Sequence, residues 1–481
     1  MLRLLTLLLL CGPVIAQLRP DQVLVVVNDA SPVSRAIGAY YVTLRDIPPE
    51  NVVHLPPWST TAEEIGRLTF NEEIADPIRV WITLLHPELE SRIRVIVTTK
   101  GVPLKIDQIG GDILTRRDAA VDSELTQLLT GNVPVGGQPG RLSNPYFGAD
   151  VSFAELDHPG ISHLVCRLTA YDGPVDGQHG VPIDLKRLLD RAQSPAQDGV
   201  FVFDMDQTPT ADADHKMMAG AALARDLGFQ VLEDFQDPML ANVPNILGYF
   251  SWGSNDPNSP APPYWGEVPP GSGQVYPGHF ASGAFAHTFV STNGRTFTKG
   301  MQAYGQSLVA DLIHRGVTNM SGHVYEPIAD AVAHPDLLIH AFARGFTAAE
   351  AYYQSLPHLS WMTVVVCDPL MTYDFRPELH AVLPAAAKVG DLVMLKGLGF
   401  TNAADTEVRI DTALVRSLQV VDAQTMIARV PPDSIRPGSR PGGPTIGPRV
   451  SIAGAALDVS VTNTRGQAHL DDGLTVTPSR R

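Results

Sequence analysis

A series of short, mostly apolar runs recurs along the first 375 residues, and each stops abruptly at small or polar side chains. Val23-Leu-Val-Val-Val27 ends at Asn28-Asp-Ala-Ser31, and Gly199-Val-Phe-Val-Phe203 ends at Asp204. Residues 93–97, 164–168, 245–250, 283–290 and 361–366 follow the same pattern. Such runs are too short for a helix with one apolar face, and read as strands covered on both faces. Helical stretches lie between several of them. Ser31 can cap a helix with Pro32 in its first turn and Ile37, Tyr40, Tyr41 and Leu44 on one side. Residues 69–85 place Ile74, Ile78, Trp81, Ile82 and Leu85 on another apolar stripe. Residues 302–315 are a third helix, closed by Gly316. Strand–helix–strand succession predicts parallel pairing, so the expected fold class is α/β, a mostly parallel sheet flanked by helices.

From about Arg376 the helical period disappears and short strands at 392–395, 407–410, 426–430, 457–462 and 474–477 take over. That texture predicts an all-β sandwich over 376–481, after an N-terminal α/β subdomain at 17–195 and a second one at 196–375. Residues 1–16 read as a secretory signal: Arg3, a leucine run, and Val14-Ile-Ala16 before the cut. Leu10 before Cys11 argues against lipidation. No other run approaches the roughly 20 apolar residues of a membrane helix. The mature protein is therefore expected in the periplasm or outside the cell. Of 481 residues 44% are hydrophobic and 18% charged, a globular composition, and the formal charge of −16 argues against non-specific nucleic-acid binding. Cys166 and Cys367 remain after the signal; they either pair or pack as buried thiols.

Polar residues at the carboxyl ends of central strands are where an α/β sheet meets a ligand. Ser251, Trp252, Ser254, Asn255 and Asp256 follow one run, and Ser291, Thr292 and Asn293 follow the next. Ser251, Trp252, Ser254, Asn255, Asp256, Thr292 and Asn293 are the ligand-binding candidates. Lys100 also stands at a strand end, where a ligand could be met, but a solvated lysine is the better default; Asp122 with Glu124 is either an acidic pair or a helix start. Asp204, Asp206, Asp212, Asp214 and His215 offer oxygen and imidazole ligands; Asp204, Asp206, Asp214 and His215 are the set considered for a divalent cation, though their spacing is not that of an EF-hand. No other cofactor is expected, since the first strand lacks a dinucleotide-binding turn.

The turn at 28–34, Arg45-Asp-Ile-Pro48, Thr98-Thr-Lys-Gly-Val-Pro103, Val121-Asp-Ser-Glu124, His323-Val-Tyr-Glu-Pro327 and Asp368-Pro-Leu370 resemble the recurring phrases of an uncharacterised family of exported bacterial proteins. A more distant resemblance, through Tyr249-Phe-Ser-Trp-Gly-Ser254, Val290-Ser-Thr-Asn-Gly294 and Cys367-Asp-Pro369, is to the gingipain-like cysteine peptidases. It implies a caspase-like sheet in two subdomains, with a histidine and a cysteine at two central strand ends. Here Trp252 and the Ser291–Asn293 turn occupy those ends, so peptidase chemistry does not carry over. Gly390-Asp-Leu-Val-Met-Leu-Lys-Gly-Leu-Gly-Phe400 and Ile427-Ala-Arg-Val-Pro-Pro432 resemble IPT/TIG immunoglobulin-like modules, from which the insert 436–448 departs.

Three functions follow. One is a non-peptidase scaffold binding a ligand or cell-surface component. A second is a hydrolase with Ser291 as nucleophile, His323 as base and Glu326 beside it. His287 is a poorer base, lying about 13 Å along the same strand from Ser291. The third is a surface-structural protein. The sequence favours the first, because no GxSxG elbow accompanies Ser291.

Overall fold

The computed structural model describes residues 17–107, 118–130, 141–156, 160–205, 212–236, 240–255, 277–299, 306–401, 404, 406–432, 456–463 and 465–477. The expected leader, Asp206, Asp256 and the insert 436–448 lie outside them. The chain forms two compact units. One comprises Met1–Gln193, Val290–His314 and Thr318–Thr372; the other comprises Ser194–Phe289, Arg315–Val317 and Tyr373–Arg481.

In the first unit β1 (Val23–Asn28), β2 (Val52–Leu55), β3 (Val95–Thr99) and β4 (Leu164–Leu168) lie in the order β4-β3-β1-β2 and are all parallel. Strand Thr363–Val366 runs parallel to β4, and Asn319–His323 pairs antiparallel with Thr363–Val366. All six side chains of β1, four valines with Leu24 and Asn28, are buried without alternation, as a strand covered on both faces requires. β3 starts two residues later than its apolar run suggested and continues through Thr98 and Thr99. Both threonines are β-branched, and each is registered against β4.

Helix α1 (Pro32–Arg45) is capped by Ser31, whose side chain accepts a hydrogen bond from Ser34 N, and it buries Ile37, Gly38 and Tyr41. The stripe expected at 69–85 is helical from Arg67 to Leu85, with wider turns at Asn71–Ala75 and Trp81–Leu85. Ile74, Ile78 and Ile82 reach the core, whereas Leu85 is exposed. Of the helix expected at 302–315, Val309–Arg315 is helical and residues 306–308 are not, while 302–305 lie outside the described residues. Asp311 accepts from Leu308 N, closing the start of this short helix from within.

In the second unit the strands Gln230–Asp234, Val200–Asp204, Val243–Ser251 and Gly278–Thr288 lie in that order, all parallel. Helix Asp212–Asp226 packs on the first two. Phe203 stacks on Phe250 at 5.1 Å between ring centres, and Phe285 meets both Phe201 and Phe250 edge-on. The run expected at 283–290 begins five residues earlier, at Gly278, and its ladder ends at Thr288.

The same unit contains a β-rich region of two sheets. One holds Glu378–Leu383, Leu392–Leu398, Thr425–Arg429 and Leu418–Asp422; the other holds Ala386–Lys388, Gly466–Thr477, Ala456–Asn463, Glu407–Ile410 and Ala413–Leu414. Leu395 and Met426 from one, and Val461 and Leu474 from the other, share a single core. Period-two burial along Leu392–Leu398 in the first and Glu407–Ile410 in the second gives each sheet one dry and one wetter face. Among the described residues no helix is long and apolar enough to cross a membrane.

Candidate functional site

β2 lies on one side of β1 and β3 on the other, so the chain reverses its direction of travel across the sheet at β1. In open α/β sheets a crevice forms outside the carboxyl ends of the two strands flanking such a reversal. A cavity of about 190 Å³ sits there in the first unit, lined by Ser31, Glu63, Lys100, Thr169, Asp172 and Phe297 among others.

Asn28, the last residue of β1, sets its shape. Its carboxamide donates to Thr60 O at 2.9 Å and to Gly101 O at 2.8 Å, while its oxygen accepts from Ala30 N. One buried side chain thereby fixes three loops. Gly101 has φ 102°, and a Cβ there would lie 2.3 Å from Ser31 Oγ, so only glycine lets this loop approach the start of α1.

Lys100 is the charged group of the crevice. Its ammonium donates to Ala170 O and Phe297 O, both at 2.9 Å, and pairs with Asp172 at 3.1 Å. Burial lowers its pKa below lysine's ordinary value, and the charge of Asp172 works in the other direction. The side chain of Lys100 is 11% exposed against 55% for Asp172, so the carboxylate is the partner that solvent or a solute can replace. Across the crevice Glu63 accepts from Phe297 N at 2.7 Å and Thr296 Oγ1 at 2.5 Å. The solvated lysine of the sequence reading is thus a buried, three-bonded one.

Beneath the crevice Arg167 makes two bonds to Asp122, at 2.7 and 2.8 Å, and donates to Val102 O and Pro103 O. Thr98 Oγ1 also donates to Asp122. Glu124 pairs with Arg67 and accepts from Ser360 Oγ. The two acids therefore form no joint acidic site; each is buried against its own arginine.

The ligand-binding candidates fall into different units. In the second, the buried Ser251 hydroxyl donates to Asp204 at 2.7 Å and accepts from Gly253 N. The Trp252 indole donates to Asp214 at 2.8 Å. Ser254 is half-buried, and the exposed Asn255 donates to Phe289 O. Asp204 and Asp214 are thus engaged by Ser251 and Trp252, and His215 is exposed on the helix. Among the described residues these three do not converge as a metal-binding group; the group of that kind is Asp458, His469 and Asp471, exposed in the β-rich region.

In the first unit Thr292 donates to Gln306, and Asn293 Oδ1 accepts from the backbone of His323 at 2.9 Å. His323 is buried, and burial lowers its pKa to about 4, against a backbone hydrogen bond with Ala331 that works upward. Ser291 and Glu326 are half-buried, and among the described residues no hydrogen bond joins Ser291 to His323 or Glu326. His287, in the second unit, is buried edge-on against Phe289.

A second cavity, of about 280 Å³, lies in the second unit beside Asp198, Gly199, Gln230 and Asn245. It is larger, but it opens at the amino ends of those strands. The carboxyl-edge crevice is preferred because it also holds a buried charge.

No protein-family model matches the chain, and neither does any of the curated proteins. Among solved structures, an auxiliary nutrient binding protein from Bacteroides ovatus shares 14% identity over 21% of this chain and 21% of its own, with a TM-score of 0.16. SGBP-B from a xyloglucan utilization locus in Bacteroides uniformis shares 13% over 24% and 26%, also at 0.16. A gamma-CGTase from an alkalophilic Bacillus clarkii shares 9% over 84% and 55%, again at 0.16. The chain spans about a fifth of the length of the first of these, and scores of this size establish no common fold.

Proposed function

We propose that this chain is an exported, non-peptidase binding protein whose first unit takes a small polar solute in the crevice between β1 and β3. The observation that supports the reading is the Lys100–Asp172 pair at the point where the chain reverses across the sheet. A solute oxygen can take the place of the exposed Asp172 carboxylate on a lysine already oriented by two carbonyls. Glu63 offers an acceptor to the hydroxyl or amine of the same solute. The volume suits a molecule smaller than the drug-sized ligands of typical pockets.

Hydrolysis through Ser291 is the weaker reading, because its hydroxyl lacks the base contact that activation requires. The gingipain-like strand ends fit a scaffold whose catalytic positions have been replaced, with the Trp252 indole spent on Asp214.

A melting screen of the full chain against sugars, amino acids and small carboxylic acids tests the proposal. A solute at 100 times its dissociation constant should stabilise the fold by about 2.7 kcal/mol. Lys100→Met should abolish that shift, and Asp172→Ala should alter it while leaving the fold intact. The same shift in Lys100→Met, or none from any class, rules the crevice out.

A further inference from the structure

Cys166 and Cys367 take no part in the crevice, and 201 residues of chain separate them. Cys166 is the middle residue of β4, and Cys367 directly follows the strand Thr363–Val366. Both are fully buried, and their Sγ atoms lie 3.2 Å apart, against about 2.05 Å in a disulfide bond.

We propose that this pair is a cross-link site, closed as an intramolecular disulfide when the chain folds in an oxidising compartment. One thiolate attacks a disulfide-bearing oxidant, forming a mixed disulfide and releasing one of the oxidant's sulfurs as a thiol. The second thiolate attacks the cysteine sulfur of that mixed disulfide and releases the other. The two cysteines lose two protons and two electrons, and one oxidant disulfide is reduced to two thiols. Burial raises the Cys367 thiol well above its ordinary pKa, so the closed sheet is slow to react; exchange belongs to folding or to transient opening.

The place of the pair explains what the bond does. β3 and β4 are registered over five residue pairs, from Val95 with Leu164 to Thr99 with Leu168. β4 and the strand Thr363–Val366 are registered only at Arg167 with Val366. The bond would reinforce the most thinly paired of these seams, between segments distant in sequence, where closing a long loop gives the largest stabilisation.

The test uses the full chain. It is equilibrated in a buffer of oxidised and reduced glutathione with mild denaturant, alkylated under full denaturation, digested and weighed by mass spectrometry. The expected product is a peptide pair joined through Cys166 and Cys367, two hydrogens lighter than the free thiols. Reduction should then lower the melting temperature by about 5–10 °C. Cys166→Ala and Cys367→Ala should show no such response to reductant. Recovery of both cysteines alkylated overturns the proposal, as does a bond to Cys11 or to another chain. A linked protein that melts no higher than the reduced one overturns it as well.

Discussion

At the scale of the residue, the buried ionisable groups of this protein divide into those kept charged by an opposite charge and those that burial keeps neutral. Arg167 and Asp122 exemplify the first, a pair desolvated together with carbonyls taking up further guanidinium protons. His163 and His323 exemplify the second. Burial lowers His163 to about 3, helped by the charge of Arg94, and lowers His323 to about 4. A histidine whose folded pKa is depressed gives stability that is complete above its unfolded value of about 6.5 and is lost as pH falls toward the folded one. Unfolding free energy should therefore drop between about pH 6.5 and pH 4, by on the order of 3 kcal/mol per histidine. Glu124, Glu350 and Asp311, raised by burial, act in the opposite sense at the acid end. Denaturant titrations of the native protein and of His163→Gln and His323→Gln across that window separate the two contributions. A pH slope unchanged in both variants would contradict this account.

At the scale of the element, strands were more legible than the site. Runs such as Val23-Leu-Val-Val-Val27 announce themselves because burial on both faces leaves no polar residue to confuse the period. The helix ends at Leu85 as its stripe predicts, but Leu85 itself is exposed, because an apolar residue on a stripe need not find anything to pack against. The crevice was hidden for a different reason. Lys100 was visible at a strand end, but Glu63, Asp172 and Phe297 join it only through the fold, and nothing in their local sequence marks them. Ser251 and Trp252 looked like ligand groups because their types suit one; their actual partners are Asp204 and Asp214.

Arg465, at the turn between Ala456–Asn463 and Gly466–Thr477, was equally unmarked. Its guanidinium lies 3.7 Å over the Phe229 ring and its Nε donates to Leu227 O at 2.7 Å, while burial lowers its pKa to about 10 against the pull of Asp198. Arg465→Ala should destabilise the second unit by about 1–3 kcal/mol through lost stacking and hydrogen bonding. Arg465→Lys should not rescue it, since a lysine cannot stack as a plane. Urea unfolding of the three proteins compares them directly; a fully stable lysine variant would show that charge alone suffices.

At the scale of the whole molecule, neither unit is a single stretch of chain. The first is interrupted at Gln193 and regains Val290–His314 and Thr318–Thr372 after most of the second unit's α/β strands have passed. A fragment ending at residue 193 lacks the strand Thr363–Val366 beside β4 and the Phe297 carbonyl on Lys100. Such a fragment should be unfolded or molten, with far-ultraviolet dichroism but no sharp thermal transition, whereas a fragment ending at residue 375 should retain the first unit's transition. A cooperative transition in the shorter piece would show that the later segments are dispensable.

This interleaving also sets a clock on biosynthesis. Roughly 180 residues must leave the ribosome between Gln193 and Thr372 before the first unit can close, and at 5–20 residues per second that takes about 10–40 s. Through that interval β4 offers an unpaired edge to the solvent. The first unit of the nascent polypeptide is therefore expected to stay open and threadable until Thr372 has emerged, in the form that a translocation channel or a holding chaperone accepts.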